Sequence, residues 1–132
     1  MLNDIKIEKQ RHFVLLHGAR HGAWCCYRGS DPLLKSCGNK ITAVDMATSG
    51  VNPKQVYHLK SISDYFEPLM EFMMLLPSEE RVILVAHSYG GFSISVAMER
   101  FPDKISAAVF ATASMTGPDF TYTTIREEVN LL

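Results

Sequence analysis

No uninterrupted apolar run in this sequence approaches the ~20 residues that a membrane span requires, so no crossing helix is expected. Basic runs are equally absent. With 13 Lys and Arg against 14 Asp and Glu, the net charge is −1, and no electrostatic footprint for nucleic acid or an acidic membrane surface is expected. Cysteine is scarce. Cys25, Cys26 and Cys37 are the full set, and an odd count with an adjacent pair fits neither a disulfide framework nor a zinc spacing. Free thiols in a reducing cytosol are the expectation, with no metal and no cofactor. The opening stretch 1–10 is polar and of mixed charge, unlike a signal or transit peptide, so a cytoplasmic location is expected. What remains is a composition of 47% hydrophobic and 20% charged residues, which suits one globular core.

Apolar runs and helical stripes alternate along the chain. His12-Phe13-Val14-Leu15-Leu16 is a short continuous apolar run ending at His17-Gly18, as a strand buried on both faces should read. Residues 23–37 are helical in part, with Gly29-Ser30-Asp31-Pro32 marking a turn or a helix restart near Pro32. A second strand is expected over 40–45. Past Gly50 and Pro53, a helix starts at the capping-box-like pair Ser61 and Asp64. Its stripe is Ile62, Tyr65, Phe66, Leu69, Phe72, Met73 and Leu76, and Pro68 within it predicts a kink. A third strand over 81–87, a helix over 90–101 stopped by Pro102, and a fourth strand over 105–112 complete the alternation. Strands joined by helix-length crossovers imply an α/β fold, a parallel sheet of about four strands with helices on both faces.

Chemistry in such sheets gathers at the carboxyl ends of the strands. Val82-Ile83-Leu84-Val85-Ala86-His87 runs straight into Ser88, and Gly90-Gly91 opens the next helix. That is the build of a nucleophile elbow, a sharp strand-to-helix turn that lifts a serine hydroxyl out of the sheet. Small neighbours let strand and helix approach, and Ala86 stands where the strict pattern has glycine. Acyl transfer also needs two backbone N–H groups aimed at the oxyanion. Hydrolases of this kind take one from the residue after the nucleophile and one from the loop after an earlier strand. Here those residues are Tyr89 and Ala19, the latter within His17-Gly18-Ala19-Arg20-His21-Gly22. All five histidines precede Ser88.

Eight segments then occur in one order: His12 to Ala19, His21-Gly22-Ala23-Trp24, Thr42-Ala43-Val44-Asp45, Asp64-Tyr65, Pro68-Leu69-Met70-Glu71, Val82 to Gly91, Ala97-Met98-Glu99 and Ala107-Ala108-Val109-Phe110. Together, over residues 11–115, they resemble the plant methylesterase branch of the α/β-hydrolase superfamily. That group includes salicylate-binding methyl esterases, polyneuridine aldehyde esterase and hydroxynitrile lyases. The resemblance implies Ser88 as acyl nucleophile, Ala19 and Tyr89 as oxyanion donors, and Gly18 with His21 as substrate contacts. It implies hydrolysis of small carboxylic methyl esters of the plant-hormone type, so a small-molecule ester is the expected partner. The family is about twice this length. Its second half supplies a lid, the last strands and the triad Asp and His, in the order Ser, Asp, His. The expectation is therefore a truncated half-domain, inactive as written: a polar segment 1–10, a core 11–115, and the start of a lid region over 116–132. Two alternatives remain open. One is a hydroxynitrile lyase relative, although such lyases carry a threonine hydroxyl where Gly18 stands. The other is a non-catalytic binding or interaction protein on a hydrolase scaffold.

The other notable residues have plainer expectations. His17 and His87 read as turn residues packed at the sheet edge, His58 as surface, and Asp45 as a loop anchor. Met70, Met73 and Met74 read as core filling. In the resembled fold the sheet order is second, first, third, fourth strand. Residues 105–111 would then form an apolar, proline-free edge, open to self-association.

Overall fold

A computed structural model describes residues 10–18, 30–47 and 62–115. Strand β1 spans His12–Leu16, helix α1 Ser30–Ser36 and strand β2 Lys40–Val44. Helix α2 covers Ile62–Leu75, followed by strand β3 at Val82–Ser88 and helix α3 at Gly90–Arg100. A 3-10 turn over Pro102–Lys104 leads into strand β4 at Ile105–Ala113. All strand pairs are parallel, in the order β2-β1-β3-β4, which is the order expected from the sequence. The α/β architecture is therefore as read, and no described helix is long and apolar enough to cross a membrane.

The two central strands carry the core. Val14 and Leu16 of β1 and Val82, Leu84 and Ala86 of β3 alternate into it, as the two-residue period of a strand requires. Against them pack Phe66, Leu69, Met70 and Met73 of α2 and Phe92, Ile94 and Ala97 of α3. Helix α2 runs unbroken through Pro68. One expectation fails here: Met74 is 60% exposed, while Met70 and Met73 are buried. A helix turns by ~100° per residue, so Met74 lies off the arc that Leu69 and Met73 share.

Polar contacts tie the elements at their ends. Lys104 Nζ donates to the carbonyls of Met73 (2.9 Å) and Leu76 (3.0 Å), satisfying acceptors that the end of α2 leaves free. At the amino edge of the sheet, His12 Nδ1 donates to Glu80 Oε1 at 2.7 Å, because a carboxylate only accepts. Its Nε2 meets Thr42 Oγ1, also at 2.7 Å, so one buried ring joins β1, β2 and the approach to β3.

Candidate functional site

At the opposite, carboxyl edge, Ser88 ends β3 with φ 54, a left-handed value that few side chains other than glycine adopt. Tyr89 is already helical (φ −61, ψ −25), and α3 begins at Gly90. The chain passes from extended to helical within one residue, leaving Ser88 exposed while Ala86 is buried. Glycine is needed just after the turn. A Cβ on Gly90 would stand 2.9 Å from the carbonyl oxygen of His17, and one on Gly91 would overlap the carbonyl oxygen of Ser114. Alanine at 86 is tolerated because Gly90 presents no side chain to it.

The end of β1 closes on the same point. Leu16 pairs with Ala86, and a Cβ on Gly18 would lie 3.3 Å from Ser88 Cβ and 3.4 Å from His87 Nδ1. Gly18 and Ser88 are thus brought together from distant parts of the sequence. Ala19, His21 and His58 lie outside the described residues. Tyr89 is held by edge-on ring contacts, with centroids 5.7 Å from Tyr65 and 5.1 Å from Phe92. Helix α2 therefore helps to fix the residue after Ser88.

The histidines divide. His17, expected at the sheet edge, is only 1% exposed. Met46 N–H donates to its Nε2 at 3.0 Å, so that nitrogen carries no proton. Its Nδ1 then holds the hydrogen and donates to the Gly18 carbonyl at 2.7 Å. The ring is neutral, and it fastens the turn after β1 to the end of β2. His87 is exposed beside Gly18. Among the described residues, no three His, Cys, Asp or Glu side chains cluster as metal ligands.

Sequence reasoning missed the contribution of β4. Ser114 N–H donates to the Ser88 carbonyl at 3.1 Å, and the Ser114 carbonyl lies over Gly91. The second glycine of the Gly90-Gly91 pair was the available signal that another backbone passes close to α3.

Comparison with known proteins agrees with this architecture. A family model described as the alpha/beta hydrolase family matches residues 13–130. Methyl jasmonate esterase 1 of Vitis vinifera is 58% identical over 93% of this chain and 47% of its own. Polyneuridine aldehyde esterase of Rauvolfia serpentina is 46% identical over 93% of this chain and 46% of its own. The solved structure of tomato methylketone synthase I with 2-tridecanone superposes with a TM-score of 0.88 at 49% identity, covering 93% of this chain and 47% of that one. The chain spans about half the length of the curated relatives it matches.

Proposed function

The chain belongs to the alpha/beta hydrolase family, in its plant methylesterase branch, and from that premise we propose that Ser88 is the acyl nucleophile of a site for small carboxylic methyl esters of the plant-hormone type. The observation that carries this reading is the left-handed Ser88 at the junction of β3 and α3, with Gly18 set against it. In this role the Ser88 hydroxyl attacks the ester carbonyl and methanol leaves. Water then cleaves the acyl-serine bond. Tyr89 and Ala19 N–H groups hold the oxyanion. Gly18 leaves space beside the hydroxyl, and His21 is the further substrate contact that the family resemblance implies. Two of the similar proteins are named as esterases, which supports this class of substrate. Gly18 also favours the esterase reading over the lyase alternative, whose members carry a threonine hydroxyl at that position.

The proton of Ser88 needs an acceptor, and neither His17 nor His12 offers one, which leaves His87 as the exposed histidine among the described residues. His17 has its Nε2 lone pair occupied by Met46 N–H, and His12 is engaged at the far edge of the sheet. In α/β-hydrolases the triad acid and histidine follow the serine, and no histidine follows Ser88 in this sequence. The 132 residues alone are therefore proposed to turn over esters at close to the buffer rate, and to meet copies of themselves through the edge of β4. Hydrolysis of p-nitrophenyl acetate and methyl salicylate by the purified chain should be near background and unchanged by Ser88→Ala. A rate near that of full-length relatives, abolished by Ser88→Ala, would assign the base to a resident histidine and overturn the inactive reading. The nucleophile itself is tested by joining residues 1–115 to the carboxyl half of the grape relative. The chimera should hydrolyse methyl esters and lose on the order of 10³-fold or more in kcat with Ser88→Ala. An active chimera indifferent to that change would remove Ser88 from the mechanism.

A further inference from the structure

Two residues other than glycine have positive φ among the described residues, and they stand side by side: Ser88 (φ 54) at the end of β3 and Thr112 (φ 48) near the end of β4. A left-handed backbone is a pronounced departure for a β-branched residue such as threonine. Conformations of this kind persist only where the surroundings impose them. The β3–β4 ladder shows what imposes it. His87 pairs with Ala111, but Ser88 pairs with Ala113, so Thr112 is an extra residue bulged out of the register.

The bulge has a consequence for the candidate site. The elbow rotates Ser88, and its carbonyl would be left without a ladder partner if β4 continued in phase. With one residue looped out, β4 instead delivers Ser114 N–H to the Ser88 carbonyl at 3.1 Å. That carbonyl belongs to the same peptide group as the Tyr89 N–H. The peptide is planar and trans, so its C=O and N–H point in opposite directions. Strand β3 lies between β1 and β4. A Ser88 carbonyl held toward β4 therefore aims the Tyr89 N–H toward β1, the side on which Gly18 meets Ser88.

We propose that Thr112 is a positioning residue: its bulge locks the Ser88–Tyr89 peptide plane so that the Tyr89 N–H faces the oxyanion of a tetrahedral acyl intermediate. This rests on the reading of Ser88 as nucleophile and Tyr89 as oxyanion donor, but its test needs no turnover. Only the backbone of residue 112 enters the argument, so Thr112→Gly, which favours positive φ, and Thr112→Val, which removes the hydroxyl but keeps the branch, should both preserve the plane. Thr112→Pro, with φ fixed near −65°, should destroy it.

The measurement is nuclear magnetic resonance of the labelled full chain. The wild type should show a through-hydrogen-bond coupling between the Ser114 nitrogen and the Ser88 carbonyl carbon. Its Ser88 HN–Hα coupling should fit a positive φ. Thr112→Gly should keep both signals. Thr112→Pro should move the Tyr89 amide resonance and speed exchange at the Ser114 amide by on the order of tenfold or more, leaving the Val14 and Leu15 amides unchanged. Absence of the Ser114–Ser88 coupling in the wild type overturns the proposal, even if the proline variant does not fold. So does a folded Thr112→Pro chain whose Tyr89 amide and Ser114 protection are those of the wild type. If Ser88 fails as nucleophile in the chimera, these signals are unaffected, so the two readings fail separately.

Discussion

His12 and His17 have both ring nitrogens occupied, and their neighbours say what each occupation does. For His17 the partners are the Met46 N–H and the Gly18 carbonyl, both in a buried setting. His17→Ala would strand a donor and an acceptor and open a cavity, so a loss of about 3 kcal/mol is expected in urea unfolding. For His12 the informative partner is Glu80. The hydrogen bond from His12, and then the charge of Lys40, hold its carboxyl below the ordinary value of 4.5, with burial opposing them. A carboxylate whose folded pKa is lowered stabilises the fold above its unfolded pKa. That contribution disappears as pH falls through the folded value. The gap in Tm between wild type and Glu80→Gln should therefore be widest near neutrality and close as pH drops below 4.5. A gap that persists or grows in acid would show that Glu80 acts through packing and not through its charge.

The elements are joined by close backbone approaches, and two glycines separate packing from conformation. Gly91 sits where β4 crosses the first turn of α3, with Ser114 in the way of any Cβ. Gly91→Ala must shift one backbone or the other, and a loss of roughly 3 kcal/mol is expected, at the upper end for overpacking. Gly38, by contrast, has open space around it and a φ of +84. Gly38→Ala should cost only the left-handed penalty, about 1 kcal/mol. Equal losses at the two positions would contradict the close crossing of β4 and α3. The end of α2 supplies another check. Lys104→Met keeps the stem of the side chain but removes the donor to Met73 and Leu76, and should lower stability by about 1 kcal/mol.

Over the molecule as a whole, burial is uneven across the sheet. Among the described residues β4 pairs only with β3, and its nine residues include no charge and no proline. Val109 is 45% exposed on it, with Met98 (41%) and Met115 (56%) nearby in sequence on the flanking segments. Natural edges carry charges, bulges or covering elements to prevent strand addition, and the register shifts at Ser106 and Thr112 interrupt only the two ends of β4, leaving 107–111 in regular register. Sedimentation velocity should show concentration-dependent association of the wild-type chain, reduced in Val109→Lys. A wild type that stays monomeric throughout the range would show that β4 is not an open edge in solution.

The four strands, the helices between them and the elbow at Ser88 were all legible in the sequence, because each rests on local chemistry. Strands repeat every two residues and helices every 3.6, and a serine between an apolar run and paired glycines marks a strand-to-helix turn. The sheet order came with the family resemblance, since topology is shared across a family. Side-chain partnerships were not legible. His12 meets Glu80 across 68 positions and His17 meets Met46 across 29, through the register of parallel strands that no local pattern specifies. Met74 was misplaced for a related reason: helical spacing shows that a stripe exists, but the neighbouring sheet decides how wide an arc it covers. Thr112 gave no warning at all, for threonine ordinarily favours the extended strand that β4 otherwise is. Only the tertiary structure bends it, because the turned carbonyl of Ser88 on the adjacent strand needs a donor, and one extra residue in β4 brings Ser114 to it.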